Sequence, residues 1–249
     1  MIWSVVLLAG LLGAWELYVV LASIDEIILP APSDVAVALA ENTGVLWENL
    51  QATALEVVGG IALAVAVGAL LALALHLSTR LRSGLYPFLV ASQAVPVPIF
   101  APLLVVWLGF TIAPKLAIIA VVCFFPIVVT TLDALRRVDA EQLKLMRTLD
   151  ASSWQVLRWV ELPAAAPAAL SGAKIAVAVA VIGAVLAEDA GAEKGLGLMI
   201  TQANAQYDIA TSFAAAAVLA TLSVALFFTL QAAERRIAPW AHQPRGPRS

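Results

Sequence analysis

The chain has 249 residues, 62% of them hydrophobic and only 12% charged, with a formal net charge of −3 and a mean hydropathy of +0.96. That composition excludes an ordinary soluble domain and points to an integral membrane protein of the all-α class. One cysteine, Cys123, and two distant histidines, His76 and His242, offer neither a disulfide framework nor metal-ligand spacing, and no GxxxxGK[ST] loop offers a phosphate cradle, so no enzyme active site is expected.

Six segments carry the roughly 20 apolar residues that a spanning helix needs. The first, residues 2–22, is apolar except for Glu16 and lacks the flank and cleavage site of a secretory signal, so it reads as a retained helix. A connector follows in which Pro30 and Pro32 enforce extended backbone and Ser33 or Asp34 can cap a short surface helix. The second segment, 47–77, repeats small residues at Gly60, Ala64, Gly68 and Ala72, a stripe that admits another helix at close range. The third, 85–109, holds Pro87, Pro96, Pro98 and Pro102 and must be kinked or broken. Its freed carbonyls need protein or a water-filled cavity, which leaves two readings open: pathway lining, or a bent helix that merely packs. The fourth, 115–135, contains Pro126; the fifth, 167–187, is rich in Ala and Val; the sixth is 211–233.

Among intramembrane charges, Glu16 and Glu56 read as isolated carboxylates with structural or pathway roles open. Lys174 is expected to snorkel to the interface, and Glu188 and Asp189 to end the fifth helix at its outer face.

Between the fourth and fifth segments, residues 136–163 form a polar, basic insert. Asp139 with Gln142 and Ser152 with Gln155 have the spacing of reciprocal helix caps. They predict two short helices, 140–149 and 153–160, the second ended by Pro163. Leu143, Met146 and Leu149 would share a side of the first, with Lys144 and Arg147 toward water; Trp154 and Leu157 stand one turn apart on the second. Amphipathicity alone leaves docking and ordinary interfacial packing both open. Basic residues set the orientation. Arg80, Arg82, Arg136, Arg137, Lys144, Arg147, Arg158, Arg235, Arg236, Arg245 and Arg248 fall on one side if both termini are cytoplasmic, against Lys115 and Lys194 on the other. The insert and a tail at 235–249 are then cytoplasmic, and the outer connectors are acidic.

This insert resembles the cytoplasmic motif of bacterial ABC importer permeases: EAA, three residues, Gly, nine residues, then I-x-L-P. Its end is present as Val160, Glu161, Leu162 and Pro163; the Gly position falls on Asp150 and the EAA positions on Lys144, Leu145 and Met146. ILPAPSDV, ATALEVVGG, SQAVPVPIFAPLLVVWLGF, CFFPIVV, ELPAAAPAALSGAKIA and AVIGAVLAEDAGAEKGLGLMI extend the likeness over nearly the whole chain. Together they resemble the nitrate, sulfonate and taurine type, and more narrowly the branch associated with pyrimidine precursors of thiamine. The resemblance implies one permease domain over residues 1–249 with six spans in the type I importer architecture, in a bacterial inner membrane and surrounded by lipid. It implies a second permease copy, two cytoplasmic ATPase subunits that hold ATP and Mg, an external solute-binding protein, no cofactor on this chain and no nucleic acid. Met146, Arg147, Asp150, Ser152, Trp154, Leu157, Arg158, Leu162 and Pro163 would couple to the ATPase. Gln93, Pro96, Pro98, Ala180, Gly183 and Ala187 would line the pathway, and Glu188 and Asp189 would meet the binding protein. A secondary transporter or channel working without ATP is the alternative class; it predicts embedded charge pairs or inverted repeats.

Overall fold

Apolar segments that must satisfy every backbone group without water do so as helices, and the computed structural model, which describes residues 2–242, is helical throughout. The elements are α1 (Ile2–Leu21), α2 (Pro32–Glu41), α3 (Thr43–Leu77), α4 (Thr79–Ser92), α5 (Val97–Leu108), α6 (Ile112–Arg136), α7 (Ala140–Thr148), α8 (Ser153–Gly191), α9 (Leu196–Ala205) and α10 (Ile209–Ile237), then a 3-10 turn at Pro239–His242. Four of them, α3, α6, α8 and α10, are long and apolar enough to cross a bilayer; α4 and α5, bent by 102° at their break, make a fifth candidate. The sequence predicts six spans; among the described residues four helices, or five with the bent pair, are long and apolar enough, and the apolar part of α1, Val6–Leu21, is a shorter helix. Of the expected tail, residues 243–249 with Arg245 and Arg248 lie outside the described residues.

Local chemistry accounts for the boundaries. Asp34, at the third position of α2, accepts the N–H of Ala31 at 2.9 Å, so it caps α2 from inside the helix. Ser78 caps α4 through the N–H of Leu81, and Thr111 caps α6 through that of Ala113. Of the four prolines in the third segment, Pro87 and Pro102 stay inside α4 and α5. The chain breaks at Gln93–Pro96, where Pro96 adopts the extended backbone of an N-cap and Pro98 occupies the first turn, the place where a missing N–H costs nothing. At 14 and 12 residues, the two pieces reach roughly 21 and 18 Å, each short of the ~30 Å bilayer core.

The chain forms two compact units. The first comprises residues 1–55 and 185–222. Here Val35 and Ala38 of α2 pack on Ala210 and Ala214 of α10, Asn42 reaches Thr211 at 3.3 Å, and Trp15 of α1 lies 5.8 Å from the ring of Phe213. Glu16 is committed to structure: its two carboxylate oxygens accept the N–H and hydroxyl of Ser33 at the start of α2, where an anion complements the helix dipole.

The second unit, residues 56–184 and 223–249, holds the main core: Val57, Ile61 and Ala64 of α3, Ile119, Cys123 and Ile127 of α6, and Ala176, Val177, Ala180 and Ala184 of α8. The helix that the small-residue stripe of α3 admits is α6. A Cβ on Gly60 would collide with the Ile119 side chain, and one on Gly68 would stand 3.0 Å from Cγ2 of Ile127. The Cys123 thiol donates to the Ala176 carbonyl of α8 at 3.4 Å.

Charge separates cleanly between these units. Among the described residues the first carries ten carboxylates and one basic residue, Lys194, whereas the second carries eleven basic and seven acidic residues. Glu56, which reads as isolated in the sequence, is paired in space, and so are two further carboxylates. Glu56 of α3 meets Lys115 of α6 at 2.6 Å, Glu234 of α10 meets Lys174 of α8 at 2.6 Å, and Glu161 meets His76 at 3.0 Å. Lys174 therefore does not snorkel; it is neutralised within the second unit, which a buried charge requires.

Candidate functional site

The hairpin between α6 and α8 is built by its caps. Asp139 accepts the N–H of Glu141 at 2.9 Å and starts α7; no reciprocal bond from Gln142 is present among the described residues. At the far end, Ala151 N–H bonds the Met146 carbonyl and Asp150 N–H that of Arg147, with Asp150 left-handed at φ +49°. This is a Schellman closure with an aspartate where glycine is usual. Ser152 and Gln155 then complete both halves of a capping box, at 2.7 and 3.3 Å.

The second helix differs from expectation in one respect: Pro163 does not end it. Helix α8 runs unbroken from Ser153 to Gly191, passing through a π turn at Leu157–Glu161 in which Leu162 N–H bonds Leu157 O. Proline has no N–H for the carbonyl four residues back and would crowd it; widening the preceding turn relieves that crowding without breaking the helix.

Exposure divides the expected contacts of the hairpin. Trp154 is 60% exposed, but Leu157, one turn on, is 3% exposed and belongs to the interior. Arg147, Asp150, Ser152 and Arg158 are exposed, Leu162 is exposed, and Met146 and Pro163 are half-buried. Leu143 is half-buried with Met146, while Leu149 on the same predicted side is exposed. Three large apolar side chains dominate the surface that sequence reasoning did not single out as contacts: Leu145, Leu149 and Trp159 are 60%, 68% and 67% exposed. The Trp159 ring lies 5.8 Å from the Arg158 guanidinium. Between α7 and the start of α8 a groove of about 460 Å³ is lined by Leu145, Met146, Trp159, Pro163 and, from the C-terminal turn, Trp240. Helix amphipathicity could have flagged Leu145; Trp159 depends on the π turn and has no local signal.

The expected pathway residues also divide. Gln93, Pro96 and Pro98 are exposed at the break between α4 and α5. Ala180, Gly183 and Ala187 are buried. A Cβ on Gly183 would stand 3.3 Å from the Ile119 backbone, and Ala180 belongs to the main core with Ile119 and Cys123, so both pack within the second unit. The exposed stripe of α8 is instead Ile175, Ala178 and Ile182.

In the first unit, Glu188 is fully buried and Asp189 exposed. Glu188 accepts the Thr53 hydroxyl at 2.6 Å and the N–H groups of Gly197 and Leu198 at 2.6 and 3.3 Å. Thr53 in turn accepts the N–H of Leu196 at 2.8 Å, and Asn49 that of Gly195 at 2.7 Å. Glu188 is thus the anion at the N-terminus of α9, not a surface contact, and of the two acidic residues only Asp189 is open to an outside partner.

Residues 64–239 match the family described as "Binding-protein-dependent transport system inner membrane component". The chain is 38% identical over 88% of its length to a "Probable ABC transporter permease protein" of Haemophilus influenzae, 90% of which is covered. It is 33% identical to the "Formylaminopyrimidine transport permease protein ThiX" of Halalkalibacterium halodurans, over 86% of either chain. With the "Taurine transport system permease protein TauC" of Escherichia coli it shares 31% over 95% of its length and 89% of that protein. Among solved structures, the inward-facing MetNI methionine ABC transporter aligns with a TM-score of 0.57 at 22% identity, covering 80% of this chain and 95% of that one.

Proposed function

We infer that this chain, which belongs to the inner-membrane permease family of binding-protein-dependent ABC transporters, couples to its ATPase through the 139–163 hairpin and passes its solute beside the broken α4–α5 segment. It is the non-catalytic membrane subunit, and in this reading ATP and Mg are held by the ATPase, a separate chain. Residues 1–249 form one permease domain of the type I architecture, with α1 as the sixth span, both termini cytoplasmic and a second copy of the chain completing the pathway. The concentration of basic residues in the 80–82, 136–158 and 235–236 segments supports that orientation.

The observation that carries the coupling reading is the rigidity of an exposed apolar surface. Leu145, Leu149, Trp154 and Trp159 face outward, on a turn closed by a Schellman motif and a capping box, and the second arm is the same helix as the fifth span. A partner that grips these side chains moves α8 as a body. Nucleotide-driven closure of the ATPase pair then becomes a rocking of α8 and of α6, against which Gly172 and Gly183 are packed. Met146, Arg147, Asp150, Ser152, Arg158, Leu162 and Pro163 shape the gripped surface; Leu157 anchors it from within. Gln93, Pro96 and Pro98 offer carbonyls and a side-chain amide to a polar solute, and Asp189 offers a charge to the external binding protein.

For the solute, a nitrogen heterocycle such as a pyrimidine precursor is preferred over a sulfonate. The relative named for formylaminopyrimidine supports this, and the one named for taurine stands for the other choice. A ligand-binding assay on the cognate binding protein decides between them. The coupling reading is tested by co-purifying the chain with its ATPase and measuring ATP hydrolysis. Trp154→Ala with Leu149→Ala should release the ATPase while the permease stays folded, and retention of a coupled complex would refute it.

A further inference from the structure

We propose that the cleft between the start of α4 and the end of α6 binds the phosphate group of an anionic membrane phospholipid. Arg82, Ser83 and Tyr86 of α4 face Asp133 and Arg136 of α6 across a cavity of about 230 Å³ floored by Leu132. That volume holds about seven waters, at about 30 Å³ each, and so admits a tetrahedral oxyanion.

The two arginines are the reason to expect an anion. Neither guanidinium has an ion pair or hydrogen bond among the described residues; Arg82 is half-buried and Arg136 exposed at the mouth. Two cations brought to one cleft repel each other unless an anion lies between them, and guanidinium forks match phosphate oxygens. One carboxylate, Asp133, also lines the cleft and lies 3.7 Å from Arg137, which leaves the cleft with two guanidinium groups against one shared carboxylate. Ser83 donates its hydroxyl to the Thr79 carbonyl. The Tyr86 hydroxyl has no hydrogen-bond partner among the described residues. Its ring is held against the Ala72, Leu75, Val128 and Leu132 cluster, so the hydroxyl is a placed donor.

The cleft continues as lipid would require. Val90, four residues beyond Tyr86, is exposed, and Val129, four residues before Asp133, is half-buried. Both lie on the faces that bear the cleft, one turn further into the apolar segments, giving a headgroup pocket above an apolar seam. A free phosphate has no use for the seam, which favours the lipid. The placement rests on the cytoplasmic orientation of these helix ends proposed above, where anionic headgroups are abundant and basic pockets between spans bind them.

The test uses the purified, delipidated full chain in detergent, titrated with phosphatidylglycerol, phosphatidylcholine or inorganic phosphate while the thermal midpoint and the retained lipid, by native mass spectrometry, are followed. Phosphatidylglycerol should raise the midpoint saturably, with neither other ligand doing so. Arg82→Gln with Arg136→Gln should weaken its half-saturation about thirtyfold, and Arg82→Lys with Arg136→Lys, which keeps the charge, should recover most of it. An unchanged half-saturation in the Gln pair, or equal potency of phosphatidylcholine or inorganic phosphate, overturns the proposal. Because the readout is lipid on the permease alone, it stands or falls separately from ATPase docking.

Discussion

Replacing Glu188 tests whether the start of α9 is held in place by one buried carboxylate. Glu188→Ala removes the acceptor for Thr53 Oγ1 and for the N–H groups of Gly197 and Leu198. Two of those bonds are 2.6 Å long, the length of charge-assisted contacts, which contribute about 1.5–3 kcal/mol each. The site is fully buried, so the orphaned donors find no easy substitute and the loss should total roughly 3–6 kcal/mol. Glu188→Gln keeps the shape and one carbonyl acceptor, and should cost about half as much. The assays are thermal unfolding of the purified permease and hydrogen exchange at residues 195–198, which should lose protection before the rest of the chain. If Glu188→Ala leaves both unchanged while binding-protein docking fails, then Glu188 is a contact residue and the anchoring argument is wrong.

Gly195→Ala attacks the same anchor from the other side. At φ +150° the position is closed to L side chains, and the new Cβ would meet the Glu188 carboxylate, so a loss of about 3 kcal/mol or more in unfolding free energy is expected. That loss should shrink in a Glu188→Ala background, since the two changes share one contact. Lys174→Met strands Glu234 in the interior and should destabilise by about 3–5 kcal/mol, whereas Lys174→Met with Glu234→Met should recover most of it in the same melt. Leu157→Ala should lower stability by about 2–5 kcal/mol through its cavity and leave ATPase affinity per folded molecule unchanged. Trp154→Ala should do the reverse, weakening a pull-down of the ATPase by about thirtyfold or more, as loss of an interface anchor does.

What this sequence discloses falls off with the distance between interacting groups. Caps lie within four residues of what they cap, so Ser152 with Gln155 was legible. The proline break needed only the spacing of Pro96 and Pro98. The partners of Glu56 and Glu234 lie 59 and 60 residues away, and nothing local announces them. Helix α9 went unread for a related reason: Gly195 has no side chain with which to cap it, and the compensating anion, Glu188, comes from the preceding helix. Ala180, Gly183 and Ala187, expected on the pathway, are buried in the chain, and nothing in their local sequence distinguishes a packed face from an open one. In a membrane, where helices gain little from hydrophobic burial, smallness more often marks where two backbones touch.

The departures from the permease motif acquire a physical meaning from the same geometry. What the turn needs from its glycine position is a left-handed residue after α7, and Asp150 supplies it at φ +49°. Ser23 and Tyr207, at φ +50° and +60°, close α1 and α9 in the same way, with N–H bonds from Ile24 to Val19 and from Asp208 to Ala203. Three non-glycine residues therefore accept the penalty of roughly 1–2 kcal/mol that an L side chain incurs there, each offset by a pair of closing hydrogen bonds. The hairpin geometry is consequently independent of the glycine. Lys144 stands on the exposed side of α7, where charge reversal alters what a partner meets and not how the turn folds. Under the coupling proposed above, Lys144 and Asp150 change the surface that the hairpin offers and leave in place the closure that joins α7 to α8.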